Sequence, residues 1–307
     1  MINKNEFIAA IDLGTYGCRM LIGACEKVNQ ALSVKIVSRF SQTVRINVKE
    51  DGTVPSKTLN RIIKALSYCE SLLQKFRVTQ YICVGTAACR LIKDKARFLA
   101  IIAKKTNIKV NIINPKEEII FAAYGASTIF DKAYKYKLIF DIGGGSTEAA
   151  IFTGDTINNI TCIKYISLPY GVLNLQEDTE SITKVMYELQ AELTFLLSDI
   201  DLINEKIQVI GTSGPLSAIV TLSYGLRGYH GPQMHGLLIE YSQLIFWINK
   251  ICENDLNEIY KYGISYPTIV SIPLLKIIAE TLKTSMCVSN TGVRNGILSY
   301  LALKHFT

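Results

Sequence analysis

Two stretches of the chain follow one plan: residues 9–23 read AAIDLGTYGCRMLIG and residues 138–152 read LIFDIGGGSTEAAIF. Each offers an apolar strand, an Asp, an apolar residue, a Gly, small or hydroxyl residues, and a second apolar strand. Consecutive glycines are poor in a strand or helix interior, so they mark turns, and each stretch is predicted to be a β-hairpin. The order of elements repeats as well. Strands are expected over Phe7–Leu13, Arg19–Cys25 and Ser33–Gln42. A helix should follow over Ser56–Phe76, where Leu59, Ile62, Ile63, Leu66, Cys69, Leu73 and Phe76 keep helical spacing. Strand Tyr81–Val84, helix Asp94–Lys105, strand Lys109–Ile113 and helix Pro115–Ser127 complete the first half.

The chain then restarts, with strands Lys137–Asp141, Glu148–Thr153 and Ile157–Ser167 and a Gly154-Asp155 turn in the second hairpin. Helix Ser181–Leu197, strand Ile207–Ile210 and a helix after Gly214 follow. The remainder to Phe306 reads as mostly helical, with a short strand near Met286–Val288. A βββαβα order that occurs twice predicts an α/β protein of two related domains, 1–125 and 126–307, facing across a cleft. The last helix, about 292–307, is expected to pack back on the first domain. Ligand sites in such folds form at strand ends and between domains.

Composition narrows the function. With 307 residues, 49% hydrophobic and 19% charged, the chain is globular and long enough for two cores. A net charge of +7 suits an anionic substrate, although a lysine-rich surface produces the same value. The eight cysteines form no C-x-x-C pair and sit singly among apolar neighbours, which reads as buried reduced thiols. Three histidines without ligand spacing argue against structural zinc. The apolar stretch Phe7–Cys25 is interrupted by Asp12, Gly14, Gly17 and Arg19, so it reads as two strands, not a membrane span or signal segment, and the expected location is the cytoplasm. Aromatic content of 9% without an interleaved basic stripe argues against a nucleic-acid polymer as partner.

The turns themselves carry the chemistry. Glycines let the backbone approach a ligand and aim successive N–H groups at it. Thr15, Ser146 and Thr147 add donors suited to phosphate oxygens, and Asp12 and Asp141 at strand ends can hold Mg²⁺ directly or through water. A third turn, Gly211–Gly214 (GTSG), follows a strand and opens a helix whose N-terminus favours anions. No G-K-[ST] or G-x-G-x-x-G occurs. In NPKEE, Asn114 is the expected N-cap, Pro115 the first helical residue and Glu117 the capping-box partner. Glu118 has no such duty and is a first-turn acid at the end of the first half. Arg19, Arg39, Arg45 and Arg90 lie beside small or polar residues near expected strand ends, and guanidinium forks suit phosphate. His235, in a Gly-rich loop, is left without a role.

These segments, AAIDLGT…RMLI, SRFSQTVRI, VGTAACR, EE…G, FDIGGGSTE, SLPYGV, GTSG and VSNTGVRNGIL, together resemble the exopolyphosphatase and guanosine pentaphosphate phosphohydrolase (Ppx/GppA) family, in its short two-domain form. That family is a branch of the actin-like (ribonuclease H-like) ATPase superfamily. The resemblance runs along nearly the whole chain. It implies Mg²⁺-dependent hydrolysis of a terminal phosphoanhydride bond in inorganic polyphosphate or in guanosine pentaphosphate, a nucleotide of the stringent response, and by family habit a homodimer. It further implies that Glu118 is the catalytic glutamate acting on water, with Glu148 a second catalytic acid. Asp12, Asp141 and Glu148 would serve the metal. Gly14, Thr15, Arg19, Arg45, Arg90, Gly143, Gly144, Gly145, Ser146, Thr147, Gly211, Thr212, Ser213 and Gly214 would bind phosphate. Members usually read Asn-Ser-Phe where this chain has Tyr16-Gly17-Cys18. They usually have Arg at the positions of Ile120 and Asn174 and Thr at Pro215, and the segment SYPTIVSIP matches no family motif. Two other readings share the fold: a module that binds guanosine tetra- or pentaphosphate without turnover, and an actin-like kinase.

Overall fold

In the computed structural model, which describes residues 6–28, 31–175, 179–201, 205–226, 231–253, 260 and 264–306, strand β1 (Phe7–Leu13) is apolar on both faces. Side chains alternate along a strand. Ala9, Ile11 and Leu13 therefore enter one core, with residues of helix α1 (Ser56–Lys75), while Ile8 and Ala10 enter another. β1 pairs antiparallel with β2 (Gly17–Val28), and β2 with β3 (Ala31–Thr43). After α1 the chain returns as β4 (Gln80–Gly85), parallel to β1. Helices α2 (Ala87–Arg90) and α3 (Lys95–Thr106) lead to β5 (Val110–Ile112), and helix α4 (Pro115–Ala126) follows. The sheet order is β3-β2-β1-β4-β5.

The second sheet repeats this arrangement with β6 (Tyr136–Ile142), β7 (Thr147–Thr153) and β8 (Thr161–Leu168) as an antiparallel meander. Helix α5 (Thr179–Leu197) precedes β9 (Ile207–Gly211), which is parallel to β6. Then come α6 (Gly214–Ser223), α7 (Gly231–Met234), β10 (Leu238–Ile239), α8 (Tyr241–Glu253), α9 (Tyr266–Val270), α10 (Ile272–Leu282) and β11 (Met286–Val288). The order β10-β11-β9-β6-β7-β8 is that of the first sheet with one strand added at an edge. One face of this sheet, through Leu138, Phe140, Ala149 and Ile151, packs with Leu189 and Leu193 of α5 and Leu275 and Ile278 of α10.

The last helix, α11 (Val293–Phe306), belongs with the first sheet: the two compact units are Met1–Gly125 with Val293–Thr307, and Ala126–Gly292. Its Ile297, Leu298, Leu301 and Ala302 bury against Ile8, Ala10 and Leu21, on the face of the sheet opposite α1. A fully buried Leu or Ile contributes roughly 1.5–3 kcal/mol. Gly296 lets α11 touch the backbone of α4, since a Cβ there would lie 1.8 Å from the Phe121 carbonyl oxygen.

Several details differ from the sequence expectation. Residues 157–160 are not strand, because Asn159 folds them into a turn: its Oδ1 accepts from the Asp155 and Thr156 N–H groups and the Thr156 hydroxyl. α2 and β10 are too short to show a period. Arg39 lies in the middle of β3, opposite Leu21, not near a strand end, and is exposed. All eight cysteines are unbridged, but Cys252 is exposed and Cys162 half-buried. Residues 227–230, 254–259 and 261–263 of the expected helical remainder lie outside the described residues. No described helix is long and apolar enough to cross a membrane.

Candidate functional site

In the first unit, Asp12, one residue before the end of β1, lies directly opposite Arg19 of β2, which in turn faces Ser41 of β3. The turn between them closes when the Gly14 N–H donates to the Gly17 carbonyl at 3.0 Å. It is tied to the chain that follows β3: Ile46 N–H donates to the Thr15 carbonyl, and Val44 and Arg45 N–H groups to the Tyr16 carbonyl, at 2.8–3.0 Å. Arg45 takes a left-handed backbone (φ 44°) to make this contact and lays its guanidinium over the Tyr16 ring, 5.9 Å from the centroid. Arg61 secures the same segment by donating to the Val44 and Arg45 carbonyls. Asp12 is half-buried, and desolvation raises its pKa above the ordinary Asp value; the guanidiniums of Arg19 and Arg294, the latter from α11, pull the other way.

Behind the turn, Cys18 packs against Cys69 with 3.9 Å between sulfurs. That contact, with burial, pushes the Cys18 thiol well up, so it is not a nucleophile. Arg90, at the end of α2, and Glu118, in the first turn of α4, meet in a 2.6 Å ion pair. The same Arg90 Nη1 donates to the Ile113 carbonyl at 3.3 Å. The capping box at α4 is formed as the sequence requires: Glu117 accepts from the Asn114 N–H, and Asn114 Oδ1 accepts from the Glu117 N–H. Glu117 is thereby committed to the helix start and Glu118 is not.

In the second unit, Asp141 of β6 lies directly opposite Glu148 of β7, and Glu148 opposite Ser167 of β8. Strand alternation puts the three on the face away from the α5 and α10 core. Glu148 is 1% exposed and accepts from the Ser167 hydroxyl at 3.3 Å. The turn closes in the same way as the first, Gly143 N–H to Ser146 carbonyl at 2.9 Å. It is tied to the chain following β8: Val172 and Leu173 N–H groups donate to the Gly143 and Gly144 carbonyls. Gly171 must be glycine here, because a Cβ would lie 2.5 Å from the Gly143 oxygen. Thr147 is buried and commits its hydroxyl proton to the Tyr170 carbonyl at 2.7 Å, so it builds the turn.

The third turn is held by Thr212 N–H to the Phe140 carbonyl and by Ser289 N–H to the Gly211 carbonyl. Ser213 is the N-cap of α6, yet its side chain makes no capping bond. Its hydroxyl is fully buried and has no hydrogen-bond partner among the described residues. Pro215 occupies the first turn, where a missing N–H costs nothing. His235 has a structural place. Its Nδ1 accepts from the Asn290 N–H, so Nε2 carries the proton toward the Thr128 hydroxyl at 2.9 Å, and burial lowers its pKa.

The sequence-predicted residues thus gather as Asp12 with Arg19, Arg90 with Glu118, and Asp141 with Glu148. Among the described residues, no three His, Cys, Asp or Glu side chains form one metal cluster. Two carboxylates in register nevertheless fit Mg²⁺, which takes one or two protein oxygens and keeps the rest for water and phosphate. Sequence reasoning assigned no role to Gly171, Ser167 and Arg294, although the first two lie within SLPYGV and the third within VSNTGVRNGIL; the places of Ser167 and Arg294 depend on strand register and on the return of α11.

The model of the Ppx/GppA phosphatase family matches residues 25–305. The bifunctional 3-dehydroquinate synthase/phosphatase of Fusobacterium nucleatum is 32% identical over 181 residues, 57% of this chain and 26% of that protein. A second curated relative, from Haemophilus influenzae, is 31% identical over 47% of this chain and 44% of its own length, so the chain spans less than half of either. Among solved structures, the Aquifex aeolicus Ppx/GppA family member superposes with a TM-score of 0.81 at 23% identity, over 98% of this chain and 99% of that one. With the family model matched over nearly its whole length and the two-unit fold shared, the chain belongs to the Ppx/GppA phosphatase family.

Proposed function

We propose that the protein is a Mg²⁺-dependent phosphohydrolase that removes the terminal phosphate of inorganic polyphosphate or guanosine pentaphosphate. The observation that carries this reading is the Asp141–Glu148 pair, two carboxylates in register beside a glycine turn with tied-off carbonyls. Bound there, Mg²⁺ would neutralise phosphate oxygens, the main electrostatic need of phosphoryl transfer.

The chain's own residues supply the rest of the proposed chemistry. Glu118 is the proposed general base, and its 2.6 Å contact with Arg90 fixes the direction of one carboxylate oxygen. A carboxylate that takes the proton of attacking water contributes about 10²–10⁴-fold. Backbone N–H groups of the glycine turns, and the buried Ser213 hydroxyl at the start of α6, are donors suited to phosphate oxygens. Arg19 and Arg45, both exposed, are the proposed outer cationic contacts.

The direct test is phosphate release from tripolyphosphate and from guanosine pentaphosphate, with and without magnesium. Release with either substrate that falls at least about 100-fold in Glu118→Gln is expected. Release no greater than the Glu118→Gln background overturns the reading. Tight guanosine pentaphosphate binding without release makes the protein a binding module instead.

A further inference from the structure

The triple-glycine turn is supported by a side chain as well as by backbone. Asn174, just beyond β8, uses its side-chain amide three ways. Oδ1 accepts from the Gly171 N–H at 2.7 Å, and Nδ2 donates to the Pro169 carbonyl at 2.8 Å and to the Gly145 carbonyl at 3.1 Å. The amide orientation is dictated by its partners, because only an acceptor can meet an N–H and only a donor can meet two carbonyls.

The Gly145 contact completes a series. The carbonyls of Gly143, Gly144 and Gly145 are taken in turn by Val172 N–H, Leu173 N–H and Asn174 Nδ2. All peptide bonds of the described chain are trans. In a planar trans peptide the N–H of the next residue points opposite to the carbonyl. Three consecutive carbonyls turned toward residues 172–174 therefore turn the N–H groups of Gly144, Gly145 and Ser146 to the other side, a short row of donors of the kind that holds anions. Glycines do not keep such a row by themselves, having the widest backbone freedom of any residue. Backbone bonds fix the first two carbonyls; the third depends on one side chain.

We infer that Asn174 is a positioning residue, whose amide holds the Gly143–Ser146 turn so that its N–H row forms an anion cradle for a phosphate group of the substrate. This rests on the phosphohydrolase reading for the identity of the anion, but not for the geometry. Asn174 is exposed, so its replacement should leave the core intact.

The experiment compares Asn174→Ala and Asn174→Asp with the unaltered protein. A matched control is Asn159→Ala, which also removes three side-chain hydrogen bonds, but at the β7–β8 turn. Amide hydrogen exchange without ligand should be faster in peptides covering Gly143–Thr147 for both Asn174 variants, and unchanged there in the control. Calorimetric titration with tripolyphosphate should show affinity weakened about ten-fold in Asn174→Ala, the effect of losing about one net hydrogen bond's worth of order. Asn174→Asp, which keeps the acceptor for Gly171 but loses both donors, should bind no better than the Ala variant. Unchanged exchange at the glycine turn overturns the inference whatever the substrate. Faster exchange with unchanged tripolyphosphate affinity overturns it as well, by separating the turn from the anion. If the unaltered protein releases no phosphate from either substrate, the phosphohydrolase reading fails instead, while exchange still decides whether Asn174 holds the turn.

Discussion

The two hairpin turns are built on one frame and charged differently. Across three neighbouring strands the first sets Asp12, Arg19 and Ser41 in a row, and the second sets Asp141, Glu148 and Ser167. Both turns close by the same glycine N–H to carbonyl bond, and both are tied by the segment that follows the third strand. The frame is therefore indifferent to the chemistry placed on it. One position differs in sign: Arg19 stands opposite Asp12, where Glu148 stands opposite Asp141. Support differs as well: the first turn leans on a left-handed Arg45 braced by Arg61, the second on Asn174 and a close-packed Gly171.

If the acid pair carries the chemistry, Glu148→Gln should lower kcat for phosphate release by about 100-fold or more, within the range of a lost charged catalytic group. Arg19→Gln, at the equivalent strand position, should raise KM and leave kcat within a few-fold. Steady-state kinetics on tripolyphosphate reads both, and the reverse ranking would break the comparison. Smaller effects are expected from packing. Gly171→Ala should cost about 1–3 kcal/mol in urea unfolding, as forced overpacking does, because its Cβ meets backbone at 2.5–2.8 Å. Gly14→Ala meets nothing closer than 3.5 Å and should stay within about 0.5 kcal/mol.

The smallest expected effect is a pH dependence confined to the first turn. Burial raises the Asp12 pKa, so the folded state holds this proton more tightly than the unfolded chain. Stability from Asp12 is thus present at low pH and lost as pH rises past the ordinary Asp value of 3.8. Asp12→Asn should melt above the parent at pH 7, with the gap closing as pH falls toward 4. A gap that widens on acidification would show that Arg19 and Arg294, not burial, dominate at Asp12.

The frame was legible because it is written in local signals. Runs apolar on both faces, an acid at each strand end and glycines between them predict two hairpins, and their repetition predicts two sheets. The capping box at Asn114 and Glu117 was equally readable, since its partners are three residues apart. What depends on distant partners was not. Nothing near Arg90 announces an ion pair with Glu118, twenty-eight residues away. Asn174 read as the loss of an arginine, because its three partners are main-chain groups and main chain leaves no mark in a sequence. Arg39 was misplaced for the opposite reason: small polar neighbours suggested a strand end inside a strand of thirteen residues.

The return of α11 to the first sheet has a consequence for how the molecule is made. The second unit is one unbroken stretch of chain, whereas the first is missing a face until its last fourteen-residue helix arrives. During synthesis, domains fold as their chain becomes available. The unit begun first is therefore the one finished last, and Ile8, Ala10 and Leu21 wait for Ile297, Leu298 and Leu301 while the second sheet closes. The newborn chain thus carries a nearly complete Asp141–Glu148 turn while the Asp12–Arg19 sheet still has an uncovered apolar face.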